Sequence, residues 1–576
     1  MAQDFQVHGV EIRQQQGSRL IVTLDGEKLG FVGTAPIHKA DPAKASIDRL
    51  EYILSEADLK AAFGHRMRGY SIPEVWNVAK GYGVGELFFV NVFDPATHTG
   101  TSAQHHTIDS GVADLGELLE HSAIEVYASE PVPGATWNWL DGAIDTGETH
   151  LADVVVMNAA QTVTYREGAD YTIDGGTISV TGNGAIDTGE DAWLAYARPT
   201  GAAKVLGTDY AIADTDGIDP DTGEPFAGGY SVKAVSLSSI TIAEGESIFV
   251  IYQHADPKFV PDSAFVGGMS IHDEPSGLEH FRFVRSQQGF DVTQLFSERS
   301  ESPAIASALE AMANKLRCRC HINISQYATT SNAIAGRANN TGLVGNAFTQ
   351  DDVVSLYTEH FFMPFPDGGS ILVPQAWHGA IARYAATRDY NFGRSISSLP
   401  IEGVIVPFAT RSLSRSDTSA DNQRLSEQGS FVTAYREFGS GWVFDGSKNA
   451  AFPTVNDGSH FGCVRNQRDT VLRSAERFVN GHLDQPLTQV LALSLASKID
   501  AWIESLTNPN RAGGQVLAAP AAGQEKIVYC TIDVPENDGT ARAQGILWML
   551  LNVPYLTPFN TCIIAEKFSF TGFAAA

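Results

Sequence analysis

At 576 residues, with 43% hydrophobic and 18% charged positions, the chain is too long for one core and too apolar to stay unfolded, so roughly three to five domains are expected. A net charge of −28 and a pI near 4.9 argue against direct binding to nucleic acid or anionic lipid. No basic start leads into an apolar run, and the longest such run, around Ile546 to Leu551, is far short of the ~18 residues that cross a bilayer; folding in a cytoplasm is expected.

The chain opens on MAQDFQVHGVEIRQQQGSRLIVTLDGEKLGFVGTAP. Phe5 to Ile12 reads as an extended segment separated from the core by three glutamines and Gly17. Two readings compete for it: a frayed terminus or a strand donated to a neighbour. Strands follow near Leu20 to Leu24 and Leu29 to Val32. From Ile47 to Phe63 the pattern is helix-like, with Ser55 as N-cap and Asp58 three residues on. Pro73 to Lys80 suits a second helix, and GELFFVNVFDP a strand buried on both faces of an α/β layer.

Near residue 100 the composition changes. Between Asp109 and Asp256 there are about 25 acidic residues against about four basic ones, so most of the net charge lies there. GAIDTGE begins at Gly142 and again at Gly184, with an echo at Asp219; YREGADYTID from Tyr165 resembles VLGTDYAIAD from Val205. Each of the latter pair precedes a strand ending in an aromatic, and short strands with Gly and Asp turns read as an inserted β-sandwich or small barrel. The loop from Asp214 places its glycine wrongly for an EF-hand, so a solvated acidic turn is expected rather than a calcium site.

After Pro261 strands and helices alternate again, which implies a parallel or mixed sheet covered by helices. The helices are expected over Ser302 to Leu316 with Pro303 first, Asn332 to Arg337, and Trp377 to Ala386; strands are expected at RCRCHINIS, ILVP and Gly403 to Phe408. Arg465 to Val479 and Leu487 to Leu506 are two further helices. In the second, Val490, Leu493, Ile499 and Trp502 form an apolar stripe with Leu506 nearby. In the first, Arg465, Arg468, Arg473 and Arg477 recur at helical spacing, which suits contact with an acidic partner or a solvated face. The chain ends with an alternating strand at Val528 to Asp533, an apolar run from Gly545 to Val553 read as a buried strand, and Cys562 to Phe570. That last strand either lies at a sheet edge or pairs with another chain.

Sites for chemistry are sparse. The five cysteines, at 318, 320, 463, 530 and 562, are few and odd in number, as in a reduced compartment, and leave at least one thiol unpaired within the chain. Cys318, Cys320 and His321 lack a second ligand pair at zinc-like spacing, so a core strand is expected and no metal. GTSA at Gly100 matches the serine motif of subtilisin-like proteases, but the accompanying His and Asp motifs are missing. There is no G-x-S-x-G elbow, P-loop or H-E-x-x-H, so no enzyme and no cofactor are expected.

The order of these pieces resembles the tail sheath proteins of contractile bacteriophages and related injection machines. F-x-x-H-G-V-x-I at Phe5 to Ile12 with LGFVGTAP at Leu29 to Pro36, VPQAWHGAIARYAATRDYNFGRSISSLPIEGV at Val373 to Val404, and the closing YCTID and AEKFSF strands carry the likeness. Asn391-Phe392-Gly393 and Ser397-Ser398-Leu399 depart from the more usual G-V-W and A-P-A-N, and the acidic insertion has no alignable counterpart.

The resemblance implies an α/β core of subtilisin-like topology without a catalytic triad, formed by residues 21–100 and 261–460. Residues 1–20 would be an exchange arm, 101–260 an acidic β-sandwich or barrel on the outer surface, and 461–576 an α+β domain ending in an exchange strand. Inter-subunit strand exchange would involve Phe5, Val7, Gly9, Val10 and Ile12 at one end and Cys562, Ile563, Ile564, Phe568 and Phe570 at the other. Arg465, Arg468, Arg473 and Arg477 would contact the tube or a neighbouring subunit, and Cys562 is a candidate for an inter-subunit disulfide. The implied function is that of a structural subunit in a helical homo-oligomer, with hexameric rings around an inner tube. Its contraction would serve genome ejection, and its partners would be the tube, baseplate and tail terminator proteins. Localisation would be the virion tail, assembled in the host cytoplasm. The alternatives are another polymeric phage particle protein, or a hydrolase with a β-sandwich binding module.

Overall fold

The segment Leu87–Asn91, LFFVN, is buried at all five positions, so it needs cover on both faces. A computed structural model supplies that context; it describes residues 27–161, 164–165, 171–180, 186, 191–216, 230–326, 328–339, 352–437, 441–511, 514–520, 527–538, 541 and 544–558. Two compact units emerge, one built on Gly26–Asp389 with Arg394–Arg465, the other on Asn466–Thr557 with Tyr390–Gly393.

The larger unit is organised by an eight-stranded sheet. Leu29–Gly33 lies at its centre, parallel to Leu87–Asn91 on one side and to Gln294–Ser297 on the other. Arg319–Asn323, Val354–Tyr357 and Phe431–Glu437 continue the parallel run, and antiparallel Leu50–Ile53 and Gly441–Asp445 close the two edges. Side chains from one face, among them Val90, Leu295, Cys320 and Leu356, pack with Ile305 and Leu309 of the helix Pro303–Leu316. Phe31, Phe89 and Phe296 face the opposite way and pack with helices Ile72–Gly81 and Gln375–Asp389.

Several local expectations hold for their stated reasons. Ser55 Oγ accepts from the Asp58 N–H at 3.1 Å at the start of helix Glu56–Phe63, and Pro303 opens its helix. Cys318 and Cys320 are fully buried in the core. His321, on the other side, sits 2.9 Å from Tyr357 Oη and 2.8 Å from Gln294 Oε1. Burial, with Arg319 and Arg383 nearby, holds its pKa far below the ordinary imidazole value, so it is a neutral core histidine.

Others are corrected. The helix-like stretch from Ile47 begins as the strand Leu50–Ile53, because pairing with Leu87–Asn91 claims its backbone before the helix starts. Gly403 to Phe408 forms no regular strand. It runs irregularly beside the hairpin His360–Pro364/Ser370–Pro374, with Ile405 N–H donating to Phe362 O (2.8 Å) and Phe408 N–H to His360 O (2.7 Å).

Between Thr99 and Ala255 the described regular elements are strands. A six-stranded sheet contains the long strand Ser122–Trp137, flanked by Ala192–Thr200 and Ser247–Ala255. Two three-stranded sheets pack on different stretches of it. One buries Tyr171 and Ile178 against Val156 and Leu194; the other buries Tyr210, Val235 and Leu237 against Val126 and Val250. Tyr171 and Tyr210 are the matching tyrosines of the two sequence repeats, so the repeat in the chain is a repeated sandwich in space. Much of the second GAIDTGE copy and of the Asp214 loop lies outside the described residues.

In the smaller unit, helix Gln489–Leu506 buries Ala492, Leu495, Ala496, Ile499, Trp502, Ile503 and Leu506. The stripe is therefore rotated from the expected one: Val490 and Leu493 are exposed, at 78% and 52%. The two strands expected near the end shrink to Cys530–Thr531 and Leu550–Leu551. Side chains take backbone partners that a longer ladder would use. Asp500 Oδ1 accepts from the Tyr529 and Cys530 N–H groups (2.6 and 3.2 Å). Asn537 Nδ2 donates to Ile532 O and Trp548 O (2.6 and 2.8 Å), and its Oδ1 accepts from the Trp548 N–H (2.8 Å). Tyr529 and Cys530 are both buried while Val528 is exposed, which breaks the predicted alternation.

Candidate assembly surfaces

The apolar run Gly545 to Val553 presents two faces rather than one buried core. Leu547, Met549 and Leu551 pack into the smaller unit, whereas Ile546, Trp548 and Leu550 are 43%, 53% and 57% exposed. A period of two puts these three on one side, and an apolar row facing water marks an interaction surface. If the row serves contacts outside the subunit, Trp548→Ser shifts the unfolding free energy of the dispersed protein by no more than about 0.5 kcal/mol. Chemical denaturation followed by circular dichroism measures this, and a loss of about 2 kcal/mol or more would place the indole in the subunit's own core.

The arginine series does not form one face. Arg465 is buried and its guanidinium is bonded to Asp352, so it serves the fold. At about 100° per residue, Arg468 and Arg477 point in opposite directions from the helix Gly462–Asn480. Arg468 and Arg477 are exposed and Arg473 is half-buried, leaving Arg473 and Arg477 as neighbours on one side. Helical spacing alone missed this because 3, 8 and 12 residues do not return to one direction.

Phe5, Val7, Gly9, Val10 and Ile12 lie outside the described residues, as do Cys562, Ile563, Ile564, Phe568 and Phe570. The other four cysteines are buried. Burial pushes the Cys530 thiol up to about 11 and raises that of Cys463 as well, so neither is a reactive thiolate.

Among the described residues, the acidic insertion uses its few lysines and arginines internally. Arg198 pairs with Glu130 and Glu148, Lys204 with Glu246, and Lys233 with Asp216. Its surface thus stays strongly negative, which favours solubility. Ser102 of GTSA lies on the strand Thr99–Thr107, in this segment and not in the α/β sheet. Its Oγ is 2.9 Å from His254 Nε2 and accepts from Lys258 Nζ at 3.0 Å. Among the described residues no carboxylate is hydrogen-bonded to His254, so the group that would orient a catalytic base is missing. No cluster of three or more His, Cys, Asp or Glu able to hold a metal occurs among the described residues.

No family model matches the chain. A tail sheath protein of Burkholderia phage BcepMu is 24% identical over 505 residues, covering 86% of this chain and 85% of that protein. The contracted helical sheath of the anti-feeding prophage aligns over 98% of this chain and 100% of its own, with a TM-score of 0.51 and 11% identity. This chain is similar to the tail sheath proteins. A sheath tail protein from Desulfitobacterium hafniense aligns over 88% of this chain and 92% of its own, at a TM-score of 0.41 and 10% identity. The fold shared with the anti-feeding prophage sheath accounts for a multi-domain chain of sheets and helices, and the non-enzymatic reading of the sequence agrees with the likeness to the phage tail sheath protein.

Proposed function

We propose that this chain is the structural subunit of a contractile tail sheath, polymerising helically around an inner tube and contracting to drive it through a bacterial envelope. The observation that carries this is a likeness to a phage tail sheath protein running over 86% of the chain, joined to a sheath fold over 98% of it. Hexameric rings, contacts with tube, baseplate and terminator proteins, and assembly in the host cytoplasm before incorporation in a virion tail belong to the same proposal. The core is read as subtilisin-like in topology. Support comes from its largely parallel sheet with helices on both faces. The insertion, negative and self-paired, suits the outer surface. Arg473, Arg477 and the Ile546–Trp548–Leu550 row are the surfaces of the smaller unit proposed for tube or neighbour contact.

Contraction then draws on energy stored in subunit contacts, not on a nucleotide. Negative-stain electron microscopy over a concentration series tests the assignment. Long hollow striated tubes are the expected result. Monodisperse particles at every concentration, even with tube and baseplate supplied as nuclei, would overturn it.

A further inference from the structure

The carboxyl ends of the parallel strands converge on a cavity of about 430 Å³. Leu29–Gly33 is the strand at which the chain changes direction: the next parallel strand lies on one side of it and Gln294–Ser297, with all that follow, on the other. Such a switch point opens a crevice where α/β sheets take their ligands, and this volume falls in the range of small-molecule sites. Its walls are apolar and aromatic in large part, with Tyr70, Phe365 and Trp377 among them. No part of the sheath reading uses it.

The polar groups in the cavity fix the kind of ligand. Glu74 is paired with Arg66 through two hydrogen bonds (2.9 and 2.7 Å), and Arg68 with Asp367 (2.7 and 2.9 Å); both pairs are internally neutral. Glu298 bridges the two diverging strand ends. Its Oε2 accepts from Thr34 N–H (2.9 Å), Thr34 Oγ1 (2.7 Å) and Ser71 Oγ (2.6 Å). The anion-favouring position at the switch point is thus already filled by the chain's own carboxylate, which disfavours a phosphate there. Glu301 differs from these: among the described residues its carboxyl has no ion pair and accepts only from its own backbone N–H. The residue is exposed, yet the protein packed around its carboxyl, with Glu298 and Asp262 adding negative charge and Arg299 opposing them, pushes its pKa up to about 7.

A cavity with apolar and aromatic walls and, at its edge, a carboxyl without an ion pair among the described residues fits a cation on an apolar stem. We propose that this cavity binds a primary ammonium group carried on an alkyl chain, with Glu301 as its counter-ion and the aromatic walls enclosing the stem. The ammonium can come from a free alkylamine or from a lysine of a second copy of this chain. Only the second source rests on the sheath reading.

Isothermal titration of the dispersed full-length protein with n-hexylammonium, against n-hexanol as the neutral isostere, tests the site. The expected result is saturable binding of the amine, at least tenfold tighter than the alcohol, and weakened about tenfold or more by Glu301→Gln. Glu301 lies at an accessible position, and a thermal melt of the variant confirms its fold. Absence of saturable binding, equal affinity for amine and alcohol, or unchanged affinity in the folded Glu301→Gln protein would each overturn the proposal. Repeating the titration on assembled protein separates the sources: loss of amine binding identifies a lysine of a second copy, and retained binding identifies a free amine.

Discussion

Replacing Arg411 by alanine destabilises the larger unit by about 3–5 kcal/mol, the cost of leaving a buried charge without its partner. Arg411 and Glu359 are only 5% and 4% exposed, with Nε to Oε1 at 2.8 Å. The same guanidinium donates to Thr330 Oγ1 (3.1 Å) and Ala328 O (3.0 Å), so one side chain ties together three segments. Burial raises the Glu359 pKa, and Arg411 opposes that rise. Without Arg411 the pKa rises further, so the folded state prefers the protonated acid. A raised carboxyl pKa gives stability that is present at low pH and lost as pH climbs through the folded value. The penalty in Arg411→Ala therefore grows as pH rises above the ordinary carboxylate range. Hydrogen exchange of the Val354–Tyr357 amides reads it locally, avoiding a single unfolding constant for a chain of several domains. An Arg411→Met, Glu359→Leu double variant should regain most of the loss, since apolar replacement of both partners removes the desolvation cost. Unchanged exchange in Arg411→Ala at pH 8 would show that the pair contributes nothing net.

Legibility in the sequence follows the range of the interaction. Leu87–Asn91 was readable because burial on both faces leaves five residues without surface. The N-cap at Ser55 involves a partner three residues away. The duplicated sandwich was readable because Tyr171 and Tyr210 occupy the same place in each repeat and are both buried. What failed depends on distant partners. Arg465 looked like part of a surface until Asp352, 113 residues earlier, was brought beside it. The shortened strands of the smaller unit depend on Asp500 and Asn537 capturing backbone groups, and no periodicity in Val528 to Asp533 encodes that. The polar centre of the core is equally non-local: Glu27 accepts from Gln294 and Thr387, 267 and 360 residues away. Glu301 gave no sequence signal, because a cavity at strand ends exists only once the sheet is assembled.

Removing residues 1–16 abolishes tube formation while leaving the subunit's own stability within about 0.5 kcal/mol of the full chain. The proposed exchange arms are Phe5 to Ile12, set apart by a polar link, and the alternating segment Cys562 to Phe570. Main-chain hydrogen bonds to a neighbour's sheet edge join subunits without demanding particular side chains. The same bonds can persist while a helical lattice shortens and widens, which side-chain interfaces that must repack cannot do as readily. Deleting residues 560–576 should have the same consequence. A mixture of the two truncated proteins should not restore tubes, since in any arrangement of the two at least half of the joints still lack a strand. Fewer than one tube in about a hundred relative to the full chain is the expected count by negative-stain microscopy; a difference of about 2.8 kcal/mol per joint already suffices for that ratio. Normal tubes from the 1–16 deletion would remove strand exchange from the mechanism. The apolar row at Ile546, Trp548 and Leu550 and the Arg473 and Arg477 pair would then have to carry the lattice. In that event Trp548→Ser, nearly silent in the dispersed subunit, becomes the variant that breaks assembly. The two truncations and this one substitution therefore separate a lattice held by shared backbone from one held by packed side chains.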